Sequence, residues 1–192
     1  MKEWHRIALG AVLTATLGGL TIAGATANAE PSTETAAVSA MAAQFHNGES
    51  ARVAADKRVV QAFIADVLDA HHGERAGRYF TPDMQWHGGT AGDVAGRDSV
   101  AGLISGLVTS IPDLHVSAQD VVAQGDKVVV RAVVTGTQRG PLLGIPAGNR
   151  ALRWDAVDVY QVRNGRISAE WAGEDLTAIL DDTGTYKAPW IQ

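Results

Sequence analysis

Residues 150–171 read RALRWDAVDVYQVRNGRISAEW. Side chains of an extended strand point alternately to its two faces. Leu152, Trp154, Ala156, Asp158, Tyr160 and Val162 therefore share one face, and Asp155 falls on the other. Five of those six carry large or apolar side chains, and the sixth is a carboxylate. Arg163-Asn164-Gly165 follows, and Asn-Gly is the strongest short hairpin signal. The stretch predicts two antiparallel strands, over 150–162 and 166–172, joined by a tight turn.

Outward from this hairpin the pattern continues. Residues 127–138 form a long β-branched run that ends before Gly140-Pro141. Gln124-Gly125-Asp126 is a turn, and 114–123 is a further strand. On the C-terminal side, 175–180 predicts a short closing helix. Upstream the period changes. Val59, Val60, Phe63, Ile64, Val67 and Leu68 recur at helical spacing, and the run ends at Gly73 after His71 and His72. Residues 74–80 predict a second short helix, stopped before Thr81-Pro82. Residues 84–87 are a brief strand and 88–96 a loop. Val100, Leu103, Ile104, Leu107 and Val108 mark a third helix, capped by Asp98 or Ser99. Helices first and hairpin-joined strands after them predict an α+β fold, helices packed on one face of a curved antiparallel sheet. Such a cone can hold a small apolar ligand.

The N-terminal third is different. Lys2 and Arg6 precede an apolar stretch over 7–25, and Ala27-Asn28-Ala29 offers a small-x-small cleavage site. Residues 1–29 read as a signal peptide, residues 30–56 as a flexible spacer and residues 57–192 as the domain. The expectation is a secreted or extracytoplasmic protein with no stable membrane anchor after cleavage. The spacer is rich in Ala, Ser, Thr and Glu; a short leading helix over 38–45 is its alternative reading.

The chain has no cysteine, so disulfides, thiolate metal sites and thiol nucleophiles are excluded. It carries 16 Lys+Arg against 21 Asp+Glu; without residues 1–29, which hold Lys2, Arg6 and Glu3, the balance is 14 against 20, a net charge of −6. That balance argues against nucleic acid as a partner. Glycine-rich phosphate loops, Gly-x-Ser-x-Gly elbows and zinc-like histidine spacing are lacking.

Several segments together resemble one family. Ile111-Pro112-Asp113-Leu114 is similar to an "FPDL" helix end, and Gln124-Gly125-Asp126-Lys127-Val128 to an "EGDKV" turn. The segment from Gly136 to Gly140, followed by Leu143-Gly144-Ile145-Pro146-Ala147-Gly148, is similar to "GTHxGxFLGIPPTG". Asp158, Asn164-Gly165-Arg166-Ile167 and Glu170-Trp171 sit in a stretch similar to "DxFRVxDGKIxEHW". Over residues 59–180 the chain resembles the SnoaL-like polyketide cyclase / ester cyclase branch of the nuclear transport factor 2-like superfamily. The resemblance implies the cone fold and a cofactor-free, metal-free cyclase or isomerase acting on a small apolar carbonyl compound, with an aspartate as acid/base. It also implies pairing of two copies through the exposed sheet face. The same cavity equally suits a non-catalytic binding or carrier protein.

The candidate site follows from both lines. Asp158, amid apolar neighbours, is either a desolvated proton shuttle with a raised pKa or a structural aspartate bonded to neighbouring chain. The resemblance favours the shuttle. His87 is a candidate proton relay or carbonyl ligand, with a core histidine as the other reading. Gln138 stands where the family has histidine, so it can hydrogen-bond but cannot shuttle protons. Trp86 stands where the family often has aspartate. With Trp154, Trp171 and Tyr160 it is a candidate wall of the substrate pocket.

Overall fold

The computed structural model describes residues 33–190, and the proposed signal peptide, residues 1–29, lies outside them. Helix α1, Thr33–Phe63, continues into a wide π turn, Ile64–Asp69. A 3₁₀ segment, Gly73–Arg78, leads to strand β1, Phe80–His87. Next come β2, Asp93–Ala95, and helix α2, Arg97–Ser110. Strands β3 (His115–Gln124), β4 (Lys127–Gln138), β5 (Arg150–Arg163) and β6 (Arg166–Trp171) follow, and helix α3, Leu176–Asp182, closes the chain.

The strands form one curved sheet in the order β2-β1-β6-β5-β4-β3. β3, β4, β5 and β6 are joined as antiparallel neighbours. Asn164 (φ 52°) and Gly165 (φ 72°) both take left-handed backbone in the β5–β6 turn, which asparagine and glycine tolerate best. The sheet is not antiparallel throughout: β1 runs parallel to β6. Nearly eighty residues separate the two, so no tight turn fixes their relative direction.

Alternation along β4 and β5 builds the core. Val128, Val130, Ala132 and Val134 face inward from β4, opposite Tyr160, Asp158, Ala156 and Trp154 of β5. Val60, Phe63, Ile64 and Val67 from the α1 end, and Val100, Ile104 and Val108 from α2, pack onto that face. The expected α+β cone is therefore the observed fold.

Local readings differ at four places. Residues 30–56, read as a spacer with a leading helix over 38–45 as the alternative, are helical from Thr33 onward and run into the domain without a break. The strand expected at 84–87 begins at Phe80 and passes through Pro82. Its pairing with β6 is interrupted between Phe80 and Gln85, so the proline's missing N–H falls where no ladder bond is needed. The loop expected at 88–96 contains the three-residue edge strand β2. Helix α2 starts at Arg97 behind Gly96 (φ 91°), without a side-chain cap from Asp98 or Ser99. Among the described residues, no helix is long and apolar enough to cross a membrane.

Candidate functional site

A cavity of about 360 Å³ lies between the inner sheet face and the helices. Four aromatic side chains line it: Phe63 from the end of α1, Trp86 from β1, and Trp154 and Tyr160 from β5. Leu103 of α2 and Leu143 of the β4–β5 connection line it too; each is also exposed, so they mark its rim. The ionisable groups on the wall are Asp158, Tyr160, Glu170 and Glu174, and no lysine, arginine or histidine among the described residues joins them.

Each acid arrives by a different route. Asp158 comes from the inward parity of β5 and is 8% exposed. Glu170 is the cross-strand partner of Tyr160 and is 5% exposed. Glu174 sits in the connection after β6, drawn in by a bridge to Ala156 and by the Val157 N–H bond to the Gly173 carbonyl, 3.0 Å. Gly173 makes this approach possible: a Cβ there would lie 2.5 Å from the Val157 carbonyl oxygen. With no side chain in the way, the Gly173 N–H donates to Asp158 Oδ1 at 3.1 Å. The Trp154 indole N–H donates to the Glu174 carboxyl. Glu170 Oε2 is buried and has no hydrogen-bond partner.

This environment holds protons. Burial pushes Asp158 up to about 6, against the stabilising Gly173 N–H and the Tyr160 phenol. Burial, and then the charge of Asp158, push Glu174 up to about 8, although the Trp154 N–H opposes this. Burial and the neighbouring Asp158 and Glu174 charges raise Glu170 well above the usual carboxylate range. The Tyr160 phenol is raised for the same reasons, burial first and then the acids around it. Near neutral pH the wall thus presents an ionised Asp158 beside neutral carboxyl and phenol donors. That combination can take a proton from one ligand atom while hydrogen-bonding another.

The structure brings together part of the expected site. Asp158, Trp86, Trp154 and Tyr160 line one cavity. His87 does not join them. Alternation along β1 turns Trp86 inward and His87 outward, where it stacks on Trp171 (ring centroids 5.4 Å apart) and lies 3.1 Å from Asp93 Oδ1. Trp171, expected as a pocket wall, is also on the outer face. It is 40% exposed, with the Lys127 ammonium 4.7 Å from its ring centroid. Gln138 is fully buried but outside the cavity. Its amide N–H group donates to the carbonyls of Ile145 (3.3 Å) and Pro146 (3.0 Å), tying down the connection that carries Leu143. Its contribution to the pocket is therefore through the loop, not through a ligand.

Glu170 and Glu174 are the members of the site that sequence reasoning misses. The parity of Glu170 opposes that of Trp171, which leaves it free to face either way. Glu174 lies in an irregular connection, where periodicity carries no signal.

A helix-covered, curved sheet around an internal polar cluster is the nuclear transport factor 2-like fold. Within it, the chain belongs to the SnoaL-like polyketide cyclase family, whose profile matches residues 58–183. Solved structures agree in fold. TsrD from Streptomyces laurentii is 23% identical, with a TM-score of 0.61 over 69% of this chain and 97% of that one. IdmH from Streptomyces antibioticus, a candidate polyketide cyclase, is 26% identical, with a TM-score of 0.56 over 67% of this chain and 98% of that one. An epoxide hydrolase of the LEH-like type from M. tuberculosis is 16% identical, with a TM-score of 0.57 over 69% of this chain and 91% of that one. No curated protein matches the chain.

Proposed function

We propose that the protein is a cofactor-independent acid/base enzyme, a cyclase or isomerase, acting on a small, largely apolar carbonyl compound. One observation carries the reading: Asp158 opens into an apolar cavity beside neutral proton donors, with no basic side chain among the described residues on its wall to neutralise it. The ionised Asp158 takes a proton from the carbon next to a carbonyl, and the bonding pair moves into the enolate. Glu170, Glu174 or Tyr160 donates a hydrogen bond to the enolate oxygen. In a ring closure the enolate carbon attacks a second carbonyl carbon of the same molecule. The resulting alkoxide takes back the proton from Asp158, so the aspartate ends as it began. In an isomerisation the proton returns to a different carbon. The leader-like pattern at residues 1–29 supports action outside the cytoplasm.

The test does not depend on which carbonyl compound is the natural substrate. Enolising enzymes exchange protons of simple ketones with solvent, so benzylacetone and cyclic ketones in heavy water serve as probes, with deuterium incorporation followed by NMR. The native protein should catalyse exchange. Asp158→Asn, nearly isosteric, should lose it by at least about a hundredfold while melting as a folded protein. Exchange retained by that variant sinks the role given to Asp158. Tight ketone binding without exchange in the native protein favours the carrier reading, for which the same apolar walls suffice.

A further inference from the structure

The cavity holds more acid than a neutral carbonyl ligand requires. One base and one or two donors suffice for enolisation, yet three carboxyls and a phenol meet here. Each additional buried carboxyl adds desolvation cost and repulsion, unless something positive sits among them. Within the wall nothing does. The groups facing the three acids are Tyr160 on β5, the indole N–H of Trp154 and the Gly173 N–H; among the described residues, α1, α2, the 141–143 segment and α3 contribute no titratable side chain to the wall. Glu170 adds an independent observation. It is buried, with 5% exposure, and its Oε2 faces no partner.

A metal ion does not fit this demand, because among the described residues no group of three or more His, Asp or Glu side chains is placed to hold one. A larger cation does. Phe63, Trp86, Trp154 and Tyr160 present aromatic rings around the same space. Aromatic faces attract an ammonium through the ring quadrupole, and a desolvated site strengthens that attraction. Carboxyls accept its N–H groups in short, charge-assisted bonds.

We propose that the ligand of this cavity carries a positively charged nitrogen on a small apolar body, with the ammonium seated against Glu170 and Glu174, Asp158 and Tyr160 left as base and donor for the carbonyl end, and the body against the aromatic wall. The inference rests on reading the cavity as the ligand site and specifies its substrate class: an amino ketone or a comparable basic carbonyl compound. An ammonium favours the ionised carboxyls. Its binding near pH 8 therefore releases protons that the empty site holds on Glu174 and Glu170.

Phenethylammonium, phenethyl alcohol and hydrocinnamate are similar in shape and differ in charge. Calorimetric titration of the full domain with each probe, near pH 8 and in buffers of different ionisation enthalpy, measures affinity and proton release together. Phenethylammonium should bind on the order of tenfold tighter than the alcohol, with net protons passed to the buffer. Hydrocinnamate should bind weakest. Glu170→Gln should bring the ammonium and alcohol affinities close together. If that variant does not fold, Glu174→Gln, at a half-buried position, serves in its place. An alcohol or carboxylate that binds as tightly as the ammonium overturns the inference and leaves the cavity standing as the ligand site. Failure of all three probes to bind overturns both.

Discussion

Two carboxyl clusters of this protein make opposite use of the same chemistry. At the end of α1, Asp66 accepts hydrogen bonds from His72 Nδ1 (2.9 Å), Arg75 (2.8 Å) and the Tyr79 hydroxyl (3.0 Å). These partners, His72 foremost, hold its carboxyl down to about 2. In the cavity, Asp158 receives one backbone N–H and faces two more acids, and burial lifts it to about 6. An aspartate surrounded by donors is fixed as an anion and ties a helix end to the segment after it. A buried aspartate with few donors keeps its proton within reach of neutral pH. Burial separates the two first, and the inventory of partners second.

The comparison is sharpest in the pH dependence of activity. Proton abstraction needs Asp158 ionised, so kcat/KM for ketone exchange should rise as pH climbs through about 6. The donors must keep their protons, so it should fall as pH passes about 8, where Glu174 ionises. The bell belongs to the interacting set of acids and not to single residues. Each limb should approach a tenfold change per pH unit well away from the optimum. A profile flat from pH 5 to 9 would break the assignment of base and acid to this cluster.

Stability should show the two clusters pulling in opposite directions. For a raised carboxyl, the native state holds its proton more tightly than the unfolded chain does. Stabilisation is full below the ordinary carboxylate range and is lost as pH rises toward the native value. For Asp158 that window runs from about 4 to about 6, and the loss is on the order of 3 kcal/mol. Glu174 extends the decline toward pH 8. Glu170→Gln removes an acid that the native state must keep protonated while the unfolded chain ionises it, and should raise the melting temperature between pH 6 and 8, flattening the decline. A variant that melts lower than the native protein at pH 8 would mean that the buried Glu170 carboxyl is compensated in a way its unpartnered oxygen does not suggest.

Much of the site is legible in sequence because strands obey parity. The run from Leu152 to Val162 places Asp158, Trp154 and Tyr160 on the inner face, and all three line the cavity. His87 is misplaced because a strand that starts only at Met84 is too short to fix the parity of Trp86 and His87; the observed strand starts at Phe80. Glu170 escapes for a related reason. From Ile167 to Glu170 every residue of β6 is buried, and the β5–β6 pairing shifts between Gln161 and Val162, so alternation is interrupted there. Glu174 is delivered by the contact between Gly173 and Val157, which joins distant parts of the chain. No local pattern encodes such a contact. Gln138 illustrates the converse. A resemblance marks the position, but only the fold reveals that its amide holds its own loop in place.

The smallest expected effect separates the clusters most cleanly. Asp66 has a depressed carboxyl, so its stabilisation is present above the ordinary carboxylate range and is lost as pH falls toward 2. Asp66→Asn should therefore lower the melting temperature at neutral pH and make it less sensitive to acid below pH 4. The decrement should be modest, because the pair is partly exposed to water and screened by salt. The same variant should leave ketone exchange and ammonium-linked proton release unchanged, since Asp66 does not line the cavity. Tyr79 donates to Asp66 while its ring meets Phe63 edge-on at 5.8 Å, and Phe63 is part of the cavity wall. That chain of contacts joins the outer cluster to the cavity wall. A change in the pH profile of exchange on replacing Asp66 would show that the two clusters are coupled through Tyr79 and Phe63, whereas an unchanged profile leaves the outer aspartate a purely structural anion.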